Sequence, residues 1–340
     1  MPGGQVAGAG PGTGCGTDLG GWLVMARIGT WNVENFFRPD SGAPDDEDAY
    51  QAKLASLAET IKAMAPDVLA VQEVGDPEAL ADLATAVGGP WNLETADPDG
   101  RGIRVGFLSR LPLSDVTQVS AFPDQMRAVQ VDDTGPSLGE MGRPALAARV
   151  VLDTGRALDL ITCHLKSKLL TFPGGRFSPH DEDERARFAA YALYRRAAEA
   201  ATVRAHATAL LDGHGQDRAL VVLGDLNDEP EAATTQMLLG PPGSEIGTPG
   251  YDRPDRGDGQ RLWNLAPRIP EANRYSRIYH ARPELIDHIL ASHAVTVRVA
   301  DGDIDFAGPR PHSIGDDPNA DSGAPASDHR PLLLAVDLPA

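Results

Sequence analysis

The sequence predicts an α+β fold: two mixed β-sheets packed face to face with helices on their outer sides, a four-layer α/β/β/α sandwich. Three observations carry this. Apolar runs of strand length recur from Ile28 to Leu338. Segments with apolar residues at helical spacing are interleaved with them. Six short strings bearing carboxylates, Asn or His lie mostly at the ends of the strand-like runs. Loops at one rim of such a sandwich are where a site is expected.

Ile28–Val33 reads as the first strand, with Asn32, Glu34 and Asn35 at its end. Leu54, Leu57, Ala58, Ile61 and Met64 recur at helical spacing within Glu47–Met64, and Pro66 stops that helix. Asp67–Val74 is a buried strand ending at Glu73, followed by a short helix over Glu78–Val87. Arg104–Ser109, Ala147–Leu152 and Leu158–His164 are strands, the last two joined by a hairpin turn at Thr154-Gly155. A loop rich in Gly, Pro and basic residues runs from Ser167 to His180, and Ala- and Arg-rich Glu182–Leu211 forms one long helix. Leu220–Leu223 is a strand leading to Asp225, and Pro230 opens a helix through Leu239. Loops cover residues 240–260 and 301–326, while Leu285–Leu290 and Arg330–Leu338 are the last strands.

The chemistry-bearing strings run from Asn32 to His329 in a chain of 340 residues, so one domain over 25–340 is expected. Gly-rich residues 1–24 read as a disordered extension, with Met25 as the natural start. That extension lacks the basic and long apolar regions of a secretory signal. No segment approaches the ~18 unbroken apolar residues of a spanning helix, so no integral membrane association is expected. Cys15 and Cys163 do not make a disulfide framework, which points to the cytoplasm. The net charge of −19 disfavours nonspecific binding of polyanions through a global field. It leaves room for a cleft where cations offset the carboxylates.

The six strings are Trp31-Asn32-Val33-Glu34-Asn35, Gln72-Glu73-Val74, His164-Leu165-Lys166-Ser167, Gly224-Asp225-Leu226-Asn227, Ile286-Asp287-His288 and Ser327-Asp328-His329. A carboxylate such as Glu73 at the end of an apolar run is costly to bury without a cation or a hydrogen-bond partner. Asp225 and Asn227 are spaced so that extended geometry puts both on one face, although an Asx turn accounts for the same letters. In order and spacing the strings resemble the endonuclease/exonuclease/phosphatase superfamily, and in wording its bacterial nuclease-like branch. The likeness covers about residues 26–338 by motif order.

The resemblance implies metal-assisted hydrolysis of a phosphate ester. It places Mg²⁺ or Mn²⁺ on Glu73 and Asp328, with Asn32 orienting Glu73 or binding the ion itself. It makes His329 the proton acceptor, oriented by Asp287, and lets Asp225 position the attacking water. Either His329 or Asp225 then serves as base. Asn227, His164 and Arg143 hold the phosphate. Arg143-Pro144 is expected just before the strand at Ala147, and a turn arginine bound only to solvent is an equal reading. The deoxyribonuclease-like members support the residue at His164 with a carboxylate, where this chain carries Ile103. His288 points away from Asp287 and reads as structural. Lys166, Lys168 and Arg176 read mainly as solvated loop charges. Phe36, Phe37, Phe172, Phe177, Trp263 and Tyr275 fall at loops, where stacking on bases competes with ordinary core packing.

The expected substrate is a nucleic-acid phosphodiester, with a small phosphate ester (sugar, inositol or lipid headgroup) as the alternative. Gly224-Asp225-Leu226-Asn227-Asp228 also fits a calcineurin-like phosphoesterase string, but the Gly-Asn-His partner string of that class is absent. A P-loop is absent too. A binding-only protein of the same fold is disfavoured, because the full set of site residues is retained.

Overall fold

The computed structural model describes residues 25–39, 46–126, 128–315 and 325–340. The expected extension at 1–24, with Cys15, and residues 316–324 of the expected last loop lie outside these. The elements in order are β1 (Ala26–Phe36), α1 (Glu47–Met64), β2 (Val68–Val74), α2 (Pro77–Val87), β3 (Asn92–Thr95), β4 (Arg104–Ser109), β5 (Ser114–Ala121), β6 (Glu140–Val151) and β7 (Ala157–His164). There follow α3 (Glu182–Leu211), β8 (Ala219–Asp225), α4 (Ala233–Leu239), β9 (Leu262–Asn264), β10 (Arg277–Tyr279), β11 (Arg282–Glu284), β12 (Asp287–Ser292), α5 (His293–Thr296), β13 (Ile304–Phe306), β14 (Ser313–Ile314) and β15 (Leu332–Val336).

Two mixed six-stranded sheets, ordered β13-β15-β1-β2-β4-β3 and β5-β6-β7-β8-β12-β9, make the sandwich. Period-two alternation sorts their residues into three apolar layers. Ile28, Val68, Ala70, Leu160, Val221, Leu223 and Ile289 meet between the sheets. Trp31, Val33, Leu69 and Val71 face outward under α1 and α2. Ile161, Cys163, Leu220, Val222 and Leu290 face outward under α3 and α4. The helices start where local chemistry allows. Asp46, Asp76 and Asp181 cap α1, α2 and α3 through their side chains, each satisfying a backbone N–H that the helix leaves free. Leu57 and Ile61 of α1 are fully buried, worth ~1.5–3 kcal/mol each. Among the described residues, no helix is long and apolar enough to cross a membrane.

Several elements differ from the sequence expectation. β6 starts at Glu140, so Arg143 and Pro144 lie inside the strand rather than before it. Pairing with β7 begins only at Leu146, and the β5 pairing shifts register nearby, so proline costs no regular ladder bond there. Helix α4 opens at Ala233, not at Pro230, because Ala232 N–H donates to the Glu229 carbonyl in a turn and Thr234 Oγ1 donates to Asp228 just before the helix. Strands β12 and β15 start two residues later than expected, leaving Leu285, Ile286, Arg330 and Pro331 in connections. β5 is invisible to pattern reading because most of it is exposed and has no alternation. Strands β9, β10, β11, β13 and β14 are two or three residues long, too short to carry a period.

One glycine is fixed by a close approach. Gly224 has φ +144, and a Cβ built there collides with the Cys163 carbonyl of the paired strand β7. Gly224→Ala is therefore expected to lower stability by about 1–3 kcal/mol or more, read as a lower urea midpoint with an unchanged slope.

Candidate active site

The site is the polar end of the layer between the sheets. On β1 the residues in phase with Ile28 are Thr30 and Asn32, and on β8 the residue in phase with Leu223 is Asp225. His164 ends β7 in register with Asp225, and Asp225 is in register with Asp287 of β12. The apolar interior thus runs into polar groups at the C-terminal ends of β1, β2, β7 and β8. Gln72 floors the pocket, donating to Thr30 and Thr162 at 3.1 Å each.

Glu73 needs a further device, since strict alternation after Gln72 sends it toward the helices. It adopts φ 63, and the β2 pairing with β4 shifts register between Gln72 and Val74. Glu34 and Asn35 also have positive φ, at the matching irregularity of β1. Non-glycine residues in this region cost about 1–3 kcal/mol each, and such strain gathers at functional sites. The result aims Glu73 at Asn32, whose Nδ2 donates to Glu73 Oε1 at 3.1 Å and to Asp225 Oδ2 at 3.0 Å. Asn35 N–H donates to Glu73 Oε2 at 3.0 Å. The Asn32 Oδ1 accepts from Glu34 N–H at 2.9 Å, the arrangement of a group that orients two carboxylates.

Asp225 and Asn227 do not share a strand face. Asn227 lies beyond β8 at φ 53. Its N–H donates to Asp225 Oδ1 at 2.8 Å in an Asx turn, and its Nδ2 donates to the Leu165 carbonyl at 3.0 Å. Both remain buried at the same pocket.

His329 Nδ1 lies 2.6 Å from Asp287 Oδ2, and its Nε2 points toward Asp225 Oδ2 at 4.0 Å and Asp328 Oδ1 at 3.9 Å. Burial opposes charge on this ring, but Asp287, Asp328 and Asp225 overcome it and hold His329 up to about 10. Burial and the charge of Asp287 push Asp225 above the usual carboxylate range, up to about 7. His164 is driven well below its ordinary value by burial and by the charges of Arg143 and His329. Its Nε2 lies 3.4 Å from Asp225 Oδ2, and its buried Nδ1 has no partner.

The folded-state value of His329 lies above the ordinary 6.5, so its stabilising contribution is complete below about 6.5 and lost as pH rises through about 10. In the metal-free protein the His329 ring should titrate near 10 by NMR, and Asp287→Asn should bring that midpoint down. A wild-type midpoint near 6.5 would contradict this geometry.

Glu34, Glu73 and Asp328 make the acidic side of the pocket. Glu34 Oε2 accepts from Asp328 N–H at 3.1 Å and from Lys53 Nζ at 3.4 Å. Burial first, then Asp328 and Glu73, push Glu34 up to about 7, with Lys53 opposing. Hard carboxylate oxygens suit a divalent cation such as Mg²⁺, and these three are linked by the Asp328 N–H bond to Glu34 and by mutual charge. Asp225, Asp287 and His329 also offer ligand atoms within 4.8 Å of one another. In that trio His329 Nδ1 is bonded to Asp287 Oδ2 at 2.6 Å, which leaves its Nε2, 4.0 Å from Asp225 Oδ2, as the ring nitrogen that faces the pocket.

Arg143 donates to Asp99 Oδ2 at 2.8 Å and to the His164 carbonyl at 3.4 Å. It is therefore not bound only to solvent: Asp99 and the His164 carbonyl hold its guanidinium in place. Ile103 is buried and apolar, so the carboxylate of this neighbourhood is Asp99, paired to Arg143. Lys166 is not a solvated charge: its Nζ donates to the Ser167 and Leu169 carbonyls, and burial lowers it to about 8. Lys168 pairs with Asp228 at 3.3 Å and Arg176 with Glu184 at 2.7 Å. His288 is buried against Asn264 and the Asp228 carbonyl, as a structural residue should be. Phe36, Phe37, Phe172 and Trp263 are core, whereas Phe177 is 52% exposed. Sequence reading misses Asp99, the buried Lys53 and Arg277. Lys53 alone leaves a signal, being in phase with the apolar stripe of α1.

Carboxylate, amide and imidazole groups from two facing sheets converge at the ends of parallel strands in an α/β/β/α sandwich, the fold of a family whose members are typically phosphoester hydrolases. Residues 29–329 match the Endonuclease/Exonuclease/phosphatase family, and the chain belongs to it. Among solved structures, the human Nocturnin catalytic domain with bound sulfate anion is similar at 14% identity, with 92% of this chain and 94% of that chain covered and a TM-score of 0.54. TDP2 from Caenorhabditis elegans is similar at 13% identity over 92% of this chain and 74% of that chain, TM-score 0.53. A family protein from Bacteroides vulgatus is similar at 16% identity over 92% and 99%, TM-score 0.51. These likenesses concern the fold. No curated protein matches by sequence.

Proposed function

We propose that this protein is a divalent-metal-dependent phosphodiesterase that cuts nucleic acid by in-line attack of water, with residues 25–340 acting as a single domain. The observation that carries the reading is the buried Asp287–His329 pair facing Asp225 across the pocket from Glu73. Glu73 and Asp328 hold the cation, with Glu34 beside them and Asn32 fixing Glu73. When bound, Mg²⁺ or Mn²⁺ supplies charge stabilisation at the phosphate.

The protein's own groups divide the remaining work. Asp225, poised at about 7, orients the attacking water and accepts its proton, since a base works best with its pKa near the operating pH. His329, kept cationic by Asp287, donates from Nε2 to a phosphate oxygen. Neutral His164 and the free Nδ2 hydrogen of Asn227 hold further oxygens. Arg143 acts by fixing the His164 backbone and by its charge.

Nucleic acid is supported by the exposed Phe177 in the loop after β7, and by Arg101, an exposed residue whose charge reaches His164. A small phosphate ester is the second reading. It is favoured by the pairing of Arg143, Lys168 and Arg176 with carboxylates, which leaves few cations to follow a polyanion. The test is EDTA-sensitive hydrolysis by the full chain on single- and double-stranded DNA, RNA, bis-p-nitrophenyl phosphate and phosphate monoesters. Nucleic-acid cleavage whose KM rises steeply with salt supports the first reading. Activity on small esters alone, insensitive to salt, replaces it with the second.

A further inference from the structure

We propose that Arg277, carried by the small third sheet β11-β10-β14, binds a nonbridging oxygen of the reacting phosphate. The proposal rests on the phosphoester reading and deepens it by naming a further substrate contact.

The argument begins at Ser276, which is fully buried. Its Oγ accepts from the N–H groups of Ile286 at 3.0 Å and Asp287 at 3.2 Å. Its carbonyl accepts from Arg330 N–H at 2.8 Å. One residue is thus bonded to the backbone of Asp287 and to the residue after His329, which joins the third sheet to both members of the dyad. Arg277 is the next residue along the chain, and its side chain is only 16% exposed.

Its partners set its direction. Nε and Nη2 lie 2.9 and 2.8 Å from Glu284 Oε2, across the β10–β11 pair where the two residues are in register. This leaves Nη1 outside the pair. Burial disfavours the charge, yet the carboxylates of Asp225, Glu284 and Asp328 raise the guanidinium above its ordinary value. Asp225 in turn is lowered by Arg277. The guanidinium therefore lies within electrostatic reach of both the proposed base and a proposed metal ligand. Its Cζ also lies 5.6 Å from the Tyr279 ring centroid, and a planar fork whose Nε–Nη2 edge is anchored by Glu284 presents Nη1 in a fixed direction that suits a tetrahedral oxyanion. The competing account is a purely structural cross-strand ion pair with Glu284.

The two accounts separate in kinetics. With Mg²⁺ and bis-p-nitrophenyl phosphate, Arg277→Gln should raise KM and the inhibition constant of inorganic phosphate by about 10–100-fold, the range of a charge-assisted hydrogen bond. Arg277→Lys should recover part of the loss. Because Gln leaves Glu284 without its cation, the double variant R277Q/E284Q removes the stranded charge. It should fold as wild type by urea titration and still bind phosphate weakly by calorimetry. A folded R277Q or double variant with unchanged phosphate affinity overturns the proposal and leaves the phosphoester reading standing. A wild-type protein that neither hydrolyses the diester nor binds phosphate overturns that reading and this one with it.

Discussion

Replacing Asp225 with Asn is expected to lower kcat by about 10²–10⁴-fold, the range for loss of a general base, while making the stability of the metal-free protein less dependent on pH. The two effects have one cause. Asp225 is fully enclosed, sits in register with Asp287 and is held up to about 7 against an ordinary 3.8. A carboxyl with a raised folded-state value binds its proton more tightly in the native state, so ionisation costs stability as pH rises from about 4 to about 7. The neutral amide of the D225N variant carries no such cost. Urea midpoints in EDTA should therefore fall less from pH 4 to pH 8 in the variant than in the wild type, while the new amide faces one of the Asn32 and Asn227 donors at every pH. A folded D225N with full activity would remove Asp225 from the mechanism, whatever its stability.

Glu73→Gln carries the second large effect. Asn32 Nδ2 and Asn35 N–H both donate to the Glu73 carboxylate. A Gln amide offers one acceptor and one donor to those two donors, so it misorients, and it also removes the charge that attracts the cation. We expect a loss of about 10²–10³-fold at saturating substrate, comparable to deleting one electrostatic group at the transition state. Raising Mg²⁺ should not restore the rate, and direct Mn²⁺ titration should show weakened binding. Wild-type Mn²⁺ affinity in a folded E73Q protein would move the cation elsewhere, with the Asp225, Asp287 and His329 trio the next place to look.

The strained backbone beneath these residues explains why parts of the site cannot be read in one dimension. Alternation correctly puts Asn32, His164, Asp225 and Asp287 on the layer between the sheets. It misplaces Glu73, which reaches the pocket only through φ 63 and a register shift. It also misplaces Asn227, which turns back onto Asp225 instead of continuing the strand. Arg143 is legible as a residue type but not as a partner. Asp99, which occupies its guanidinium, comes from the loop between β3 and β4, and no spacing rule links the two. Arg277 is invisible because a three-residue strand has no period and its segment has loop composition.

What the sequence by itself determined is the layered sandwich, the long helices and the set of groups that meet at its rim. Those follow from local periodicity, helix-bounding prolines and the order of the motifs, which carries the family resemblance, and none of these needs knowledge of distant contacts. Tertiary structure alone decided the partners: the 2.6 Å approach of Asp287 to His329 across 42 positions, Asn32 bridging Glu73 and Asp225, and the opposite shifts of His329 and His164. Each shift depends on burial and on charges brought together from remote parts of the chain. Electrostatic energy varies with distance and enclosure in space, neither of which is written in the spacing of residues along the chain.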